Sequence, residues 1–173
     1  MNNFITALES AIVNKNWYGV LFISLTLPDI FGKIDEPNSP SSTRTINWFN
    51  KYLKKKYTSK FSVPDGQGNT SLIEHVFLGG DDFYALRCAL LHEGSSDISS
   101  QRARKILDNF SFVMPGERRN SKHCIQIHGT LMLQVDIFGG DMLTALRQWM
   151  EDIKGDLDKE AKVNELLTIS LIY

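Results

Sequence analysis

The segment DDFYALRCALLHE, residues 81–93, carries one arginine and one histidine five residues apart in a run that is otherwise largely apolar at its centre. Such a pair can do phosphate chemistry. A guanidinium binds two phosphate oxygens in a bidentate manner, and an imidazole titrates close enough to neutrality to take or give a proton. Wound as an α-helix at about 100° per residue, the run spreads Phe83, Leu86, Leu90 and Leu91 over one broad side, with Arg87 in the middle of it. Ala85, Cys88 and Ala89 make a small-residue surface from which His92 projects. The two polar residues stand about 7.5 Å apart along the axis and about 140° apart in azimuth. A guanidinium cannot shed its proton to escape burial, so Arg87 needs an anionic partner or a water-lined cleft. Glu74 and Asp29 are candidate partners within the chain, and His92, just before Gly94, is placed to satisfy the last carbonyls of its helix. Catalytic, ligand-binding and purely architectural readings of the pair all stay open at this point.

The elements that must position this helix read as mainly α. Phe4, Leu8, Ala11 and Ile12 recur at helical spacing, and an apolar segment from Trp17 to about Leu27 follows, forming an antiparallel pair joined near residues 14–16. The loop DEPNSPSS leads to a helix of about Thr43 to Tyr57 that buries Ile46, Phe49, Tyr52 and Leu53. After VPDGQGN and residues 71–78, Asp81 or Asp82 caps the arginine–histidine helix, which stops at Gly94. SSDISSQRARKILDNF reads as another helix, with Asp97 as its N-cap and Ile106, Leu107 and Phe110 facing inward. HCIQIH and LMLQVDI alternate around Gly129-Thr130 as a β-hairpin. Residues 141–154 return to helix through Met142, Leu146, Trp149 and Ile153, and residues 163–172 form a weaker closing helix or strand. The expected architecture is a single helical domain over residues 1–173, a bundle of five to six helices with residues 122–136 as a β-hairpin appendage.

Composition narrows the function. The chain has 173 residues, 42% hydrophobic, with a net charge of −1 and a pI near 6.4, so attraction to nucleic acid or membrane must come from local patches. Cys88 and Cys124 are far apart and lack a paired spacing, and residues 1–10 carry no secretory pattern, which together favour a reducing, cytoplasmic setting. No apolar stretch approaches the ~20 residues that span a bilayer, so no membrane partner is expected. His123, Cys124 and His128 match no strong zinc pattern, and neither a phosphate-binding GxxxxGK[ST] loop nor a G-x-S-x-G elbow occurs. No cofactor or metal is expected.

Arg-x4-His in a helical domain resembles the signature of the HEPN superfamily, and ALRCALLHEGS with NWYGVLFISLTLPDIFG resembles a group of uncharacterised bacterial proteins of similar length. The resemblance implies a helical bundle that dimerises and, when active, cleaves RNA without a metal. It gives Arg87 the role of holding the phosphate and His92 that of moving the proton while a ribose 2′-hydroxyl attacks the adjacent phosphorus. Many active members carry Asn, Asp or His directly after the arginine; this chain has Cys88. The resemblance further implies a place in bacterial conflict, as a toxin or antiphage effector, under a protein regulator. Inactive, binding-only members give the alternative: a regulatory module acting through protein partners, with the hairpin of residues 124–135 as its contact.

An RNA-cutting site needs cations around it. KYLKKKYTSK supplies Lys51, Lys54, Lys55, Lys56 and Lys60 with Tyr52 and Tyr57, and Arg102, Arg104, Lys105, Arg118, Arg119 and Lys122 follow the motif. Lysine pairs with phosphate and tyrosine stacks on bases, and Lys51, Lys54, Lys55, Lys56 and Arg102 are the first choices for RNA contact. A lysine run is more often the ordinary solvated face of a surface helix.

Overall fold

The computed structural model describes residues 3–64, 69–116 and 121–169. Six α-helices, α1 (Asn3–Val13), α2 (Trp17–Asp35), α3 (Ser41–Tyr52), α4 (Gly80–Cys88), α5 (Val135–Asp152) and α6 (Leu157–Asn164), surround one core. Five strands, β1 (Thr58–Pro64), β2 (Thr70–Val76), β3 (Asn109–Val113), β4 (Ile125–Ile127) and β5 (Thr130–Gln134), make two small sheets. Of the described residues 54% are helical and 18% lie in strands, so the fold is mixed α+β and not the helical bundle with one hairpin that the sequence suggests.

Three segments account for the difference. The lysine-rich helix stops at Tyr52, and a 3-10 turn, Lys54–Tyr57, sinks Tyr57 into the core. The chain then leaves as β1, paired antiparallel with β2 from Thr58 opposite Val76 to Pro64 opposite Thr70. The third segment is SSDISSQRARKILDNF, which forms turns ending in β3. Its Asp97 accepts the Ser99 N–H at 2.8 Å, the contact of an N-cap, but no helix follows it. Long-range bonds take the backbone instead: Asp97 bridges Asn109, and the Ile98 N–H donates to the Asp108 carbonyl. The buried carboxylate of Asp82 accepts the N–H groups of Lys105, at 2.6 Å, and Ile106. Asp82 therefore anchors this loop and leaves the start of α4 to Gly79, which makes no side-chain cap. Leu107 and Phe110 are buried as expected, while Ile106 points outward at 54% exposure.

The alternating segments form a hairpin, β4 with β5, turning through His128 and Gly129, both at positive φ. They are not an appendage to a bundle. β5 is the central strand of a three-stranded sheet, parallel to β3 on its other side, and Leu131 and Leu133 are fully buried. It passes without a break into α5, six residues earlier than the helical periodicity suggests.

The helix pair α1–α2 forms as expected, but α2 runs through Pro28 to Asp35. A proline inside a helix removes one backbone hydrogen bond, and here Leu25, Leu27, Phe31 and Ile34, all buried, hold the helix against the core. Asp35 then accepts the Trp149 indole N–H at 2.9 Å and pairs with Lys159 at 2.7 Å, tying α2 to α5 and α6. Two glycines set the helix spacing around α3. A Cβ on Gly32 would stand 2.8 Å from the Arg44 carbonyl oxygen, and one on Gly80 would stand 2.6 Å from that of Ile46.

Asp82→Ala removes a buried acceptor from two backbone donors, so it is expected to lower unfolding free energy by about 2–3 kcal/mol. Urea denaturation measures the loss, and hydrogen exchange at Lys105 and Ile106 should rise before that of β5.

Candidate functional site

The site grows from α2. Asp29, one residue after Pro28, extends its carboxylate toward α3 and α4 and accepts from both. On α3, Ser41, Arg44 and Thr45 share one face at helical spacing and all reach Oδ1: the Ser41 hydroxyl at 2.9 Å, Arg44 Nε at 2.7 Å and the Thr45 hydroxyl at 3.3 Å. On α4, Arg87 Nη2 donates to Oδ2 at 2.9 Å. The three charged side chains are 14–17% exposed, and two guanidinium groups against one carboxylate leave a local excess of positive charge.

Arg87 is thus bound to an acid of its own chain, Asp29, while Glu74 lies exposed on β2. Its guanidinium also sits 5.9 Å from the centre of the Tyr84 ring, and its Nε is buried with no hydrogen-bond partner among the described residues. Burial, and then the Cys88 thiol beside it, pushes the Tyr84 phenol above its ordinary value. Arg87 spends one nitrogen on Asp29, and its other hydrogens meet no acceptor among the described residues.

His92 lies differently. After Cys88 the helix widens into a π-turn, Ala89–Glu93, closed by Gly94 at φ 65°. The closing bonds, Gly94 N–H to Leu90 and Ser95 N–H to Ala89, are backbone bonds, so the helix end does not use the imidazole. His92 is exposed, with no hydrogen bond or ion pair to a described residue. A π-turn advances less than 100° per residue, so His92 lies nearer Arg87 in azimuth than the 140° of regular α geometry. Such widened turns recur at functional sites.

The cations do not gather around Arg87. Ser41, at the start of α3, touches Asp29, whereas Lys51 to Lys56 lie at the other end of that helix and just beyond, ~15–20 Å along its axis. Lys51 pairs with Asp152 at 3.8 Å and covers the Tyr52 ring, and Lys56 pairs with Asp141 at 2.7 Å. Lys105 pairs with Asp81 at 3.1 Å, and Arg104 pairs with Asp108. Lys54, Lys55 and Arg102 are exposed and pair with no acid among the described residues. Arg118 and Arg119 lie outside the described residues. A groove of about 490 Å³ beside Asp29 and Arg44 is bordered by Lys33, Lys162 and Glu165. The sequence reading names Asp29 but misses Ser41, Arg44 and Thr45, whose shared helical face was the available signal.

His123, Cys124 and His128 serve the sheet. His123 Nδ1 accepts the Gln134 N–H at 3.3 Å, and burial lowers its pKa against the opposing pull of Asp141. Burial, with Asp141 adding to it, pushes the Cys124 thiol up to about 11. His128 occupies the β4–β5 turn at φ 45°. Among the described residues no group of three or more His, Cys, Asp or Glu side chains is placed to hold a metal ion.

Asp29→Ala strands two partly buried arginines and is expected to cost about 3 kcal/mol in chemical denaturation, with Asp29→Asn costing less because one acceptor oxygen remains. A second expectation follows from His123. Its depressed pKa means that the unfolded chain binds a proton the folded chain refuses, so stability is full above about 6.5 and falls as pH drops through the lower folded value. Urea midpoints from pH 7.5 to pH 5 should show that decline in the wild type and a shallower one in His123→Asn. Compared with known proteins, the chain matches no family model, no curated protein and no solved structure.

Proposed function

We propose that the chain is a HEPN-like, metal-independent endoribonuclease acting as a homodimer, in which Arg87 and His92 of both copies face one RNA strand. The observation that carries this reading is the exposed His92, without a partner among the described residues, on a widened turn five residues beyond a guanidinium bound to Asp29. Arg87 keeps hydrogens for a phosphate oxygen, and its permanent charge offsets the negative charge that builds on a phosphorane. His92 takes the proton of the 2′-hydroxyl as its oxygen attacks phosphorus. The P–O5′ bond breaks, the second His92 supplies a proton to the departing oxygen, and the products are a 2′,3′-cyclic phosphate and a 5′-hydroxyl. Asp29 acts as a positioning residue, and Lys54 and Lys55 attract the strand from a distance.

One observation favours a second reading. Arg87 already has a carboxylate partner, as a purely architectural arginine would, and this supports a binding module on the same scaffold.

Cleavage decides between them. Purified protein with end-labelled RNA in EDTA is expected to leave 2′,3′-cyclic phosphate termini, and His92→Ala should slow this by roughly 10²-fold or more while keeping the wild-type unfolding midpoint. Arg87→Lys, which keeps the charge and loses the fork, should slow it by about 10²-fold. RNA left intact by the wild type gives the second reading the field.

A further inference from the structure

The β1–β2 hairpin is exposed along most of its length, and its register sorts its side chains. Phe61 lies opposite Ile73 and Ser59 opposite His75 on one face, while Lys60 lies opposite Glu74 on the other. The first face is apolar and half bare: Phe61 is 47% and Ile73 50% exposed. It borders a cavity of about 540 Å³ whose other wall is the β4–β5 hairpin, with Gln126 and His128.

Three rings meet there at steep angles: Phe61 with Phe77 at 6.3 Å, His75 with Phe77 at 4.5 Å and Phe61 with His75 at 6.3 Å. Between the walls His75 Nε2 meets Gln126 Oε1 at 2.9 Å. An amide oxygen only accepts, so in this arrangement His75 donates from Nε2. The amide nitrogen of Gln126 then offers two hydrogens with no acceptor among the described residues. No carboxylate among the described residues lines the cavity. Lys54 and Lys55, exposed and free of acid partners, occupy the turn that leads into β1.

Aromatic faces, an amide donor, no carboxylate among the described wall residues and the lysines of the turn before β1 fit a planar ring that bears a carbonyl acceptor and is attached to a polyanion. We propose that this cavity holds a carbonyl-bearing nucleobase of single-stranded RNA, stacked on Phe61 with its carbonyl accepting from Gln126. That the strand is RNA, and that it continues to Arg87 and His92, rests on the ribonuclease reading; the recognition of a base does not. The site lies beyond the lysine end of α3, so it grips the strand away from the bond that is cut.

The test is fluorescence anisotropy with 2′-O-methyl octamers of uridine and of adenosine, which lack the attacking hydroxyl and so report binding alone. Wild type should bind the uridine octamer more tightly than the adenosine octamer, because only uracil presents a carbonyl. Phe61→Ala and Gln126→Leu should each weaken uridine binding about tenfold. If Phe61→Ala loosens the hairpin by circular dichroism, Gln126→Leu alone decides. Octamer binding that ignores Gln126→Leu, or no binding by the wild type, overturns the base site. Pocket-dependent binding with no cleavage of ordinary RNA sinks the nuclease reading and upholds the base site, whereas cleavage with unaltered octamer binding does the reverse.

Discussion

One carboxylate organises the junction of α2, α3 and α4. Asp29 receives Arg44 and Arg87 together with two hydroxyls, and in doing so joins three consecutive helices at a point where none of them can bring a purely apolar surface. A buried charge is costly unless it is paired and hydrogen-bonded, and with four donors Asp29 meets that demand. The same pairing leaves one more cation than anion. It stabilises the helix packing and leaves a net positive charge on the cluster.

Two poles follow from how α3 is laid down. Ser41, Arg44 and Thr45 near its start bind Asp29, and beyond its last turn lie Lys54 and Lys55, which pair with no acid among the described residues, and the β1–β2 hairpin. α4 returns alongside it, with Gly80 donating its N–H to Asn50 and Arg87 at the opposite end. The charged motif and the basic run, which sequence proximity alone would let one place together, are thus separated by the length of a helix.

Much of the helical framework was legible in the sequence because its signals are local. The α1–α2 pair, the α4 segment and the inward set Met142, Leu146, Trp149 and Ile153 all follow from periodicity, and all four of those side chains are buried. The β4–β5 hairpin was legible from its alternation about Gly129. The errors arose where distant partners outcompeted local propensity. Residues 99–107 carry a helix-like pattern, yet Asp82, more than twenty positions away, binds two of their backbone N–H groups. Residues 58–64 became a strand because residues 70–76 offered a ladder, and no periodicity in KYLKKKYTSK announces that. At the candidate site, the need of Arg87 for an anion was legible and Asp29 was among the choices. The π-turn that reorients His92 was not, since a single widened turn leaves no trace in residue spacing.

The glycines at 32 and 80 carry a further consequence. Each lets a helix come so near the α3 backbone that even a methyl group would collide, so the scaffold around the ion cluster has no slack to take up or give out. A side chain at either position would push α2 or α4 off α3 and lengthen the contacts that Asp29 makes with Arg44 and Arg87.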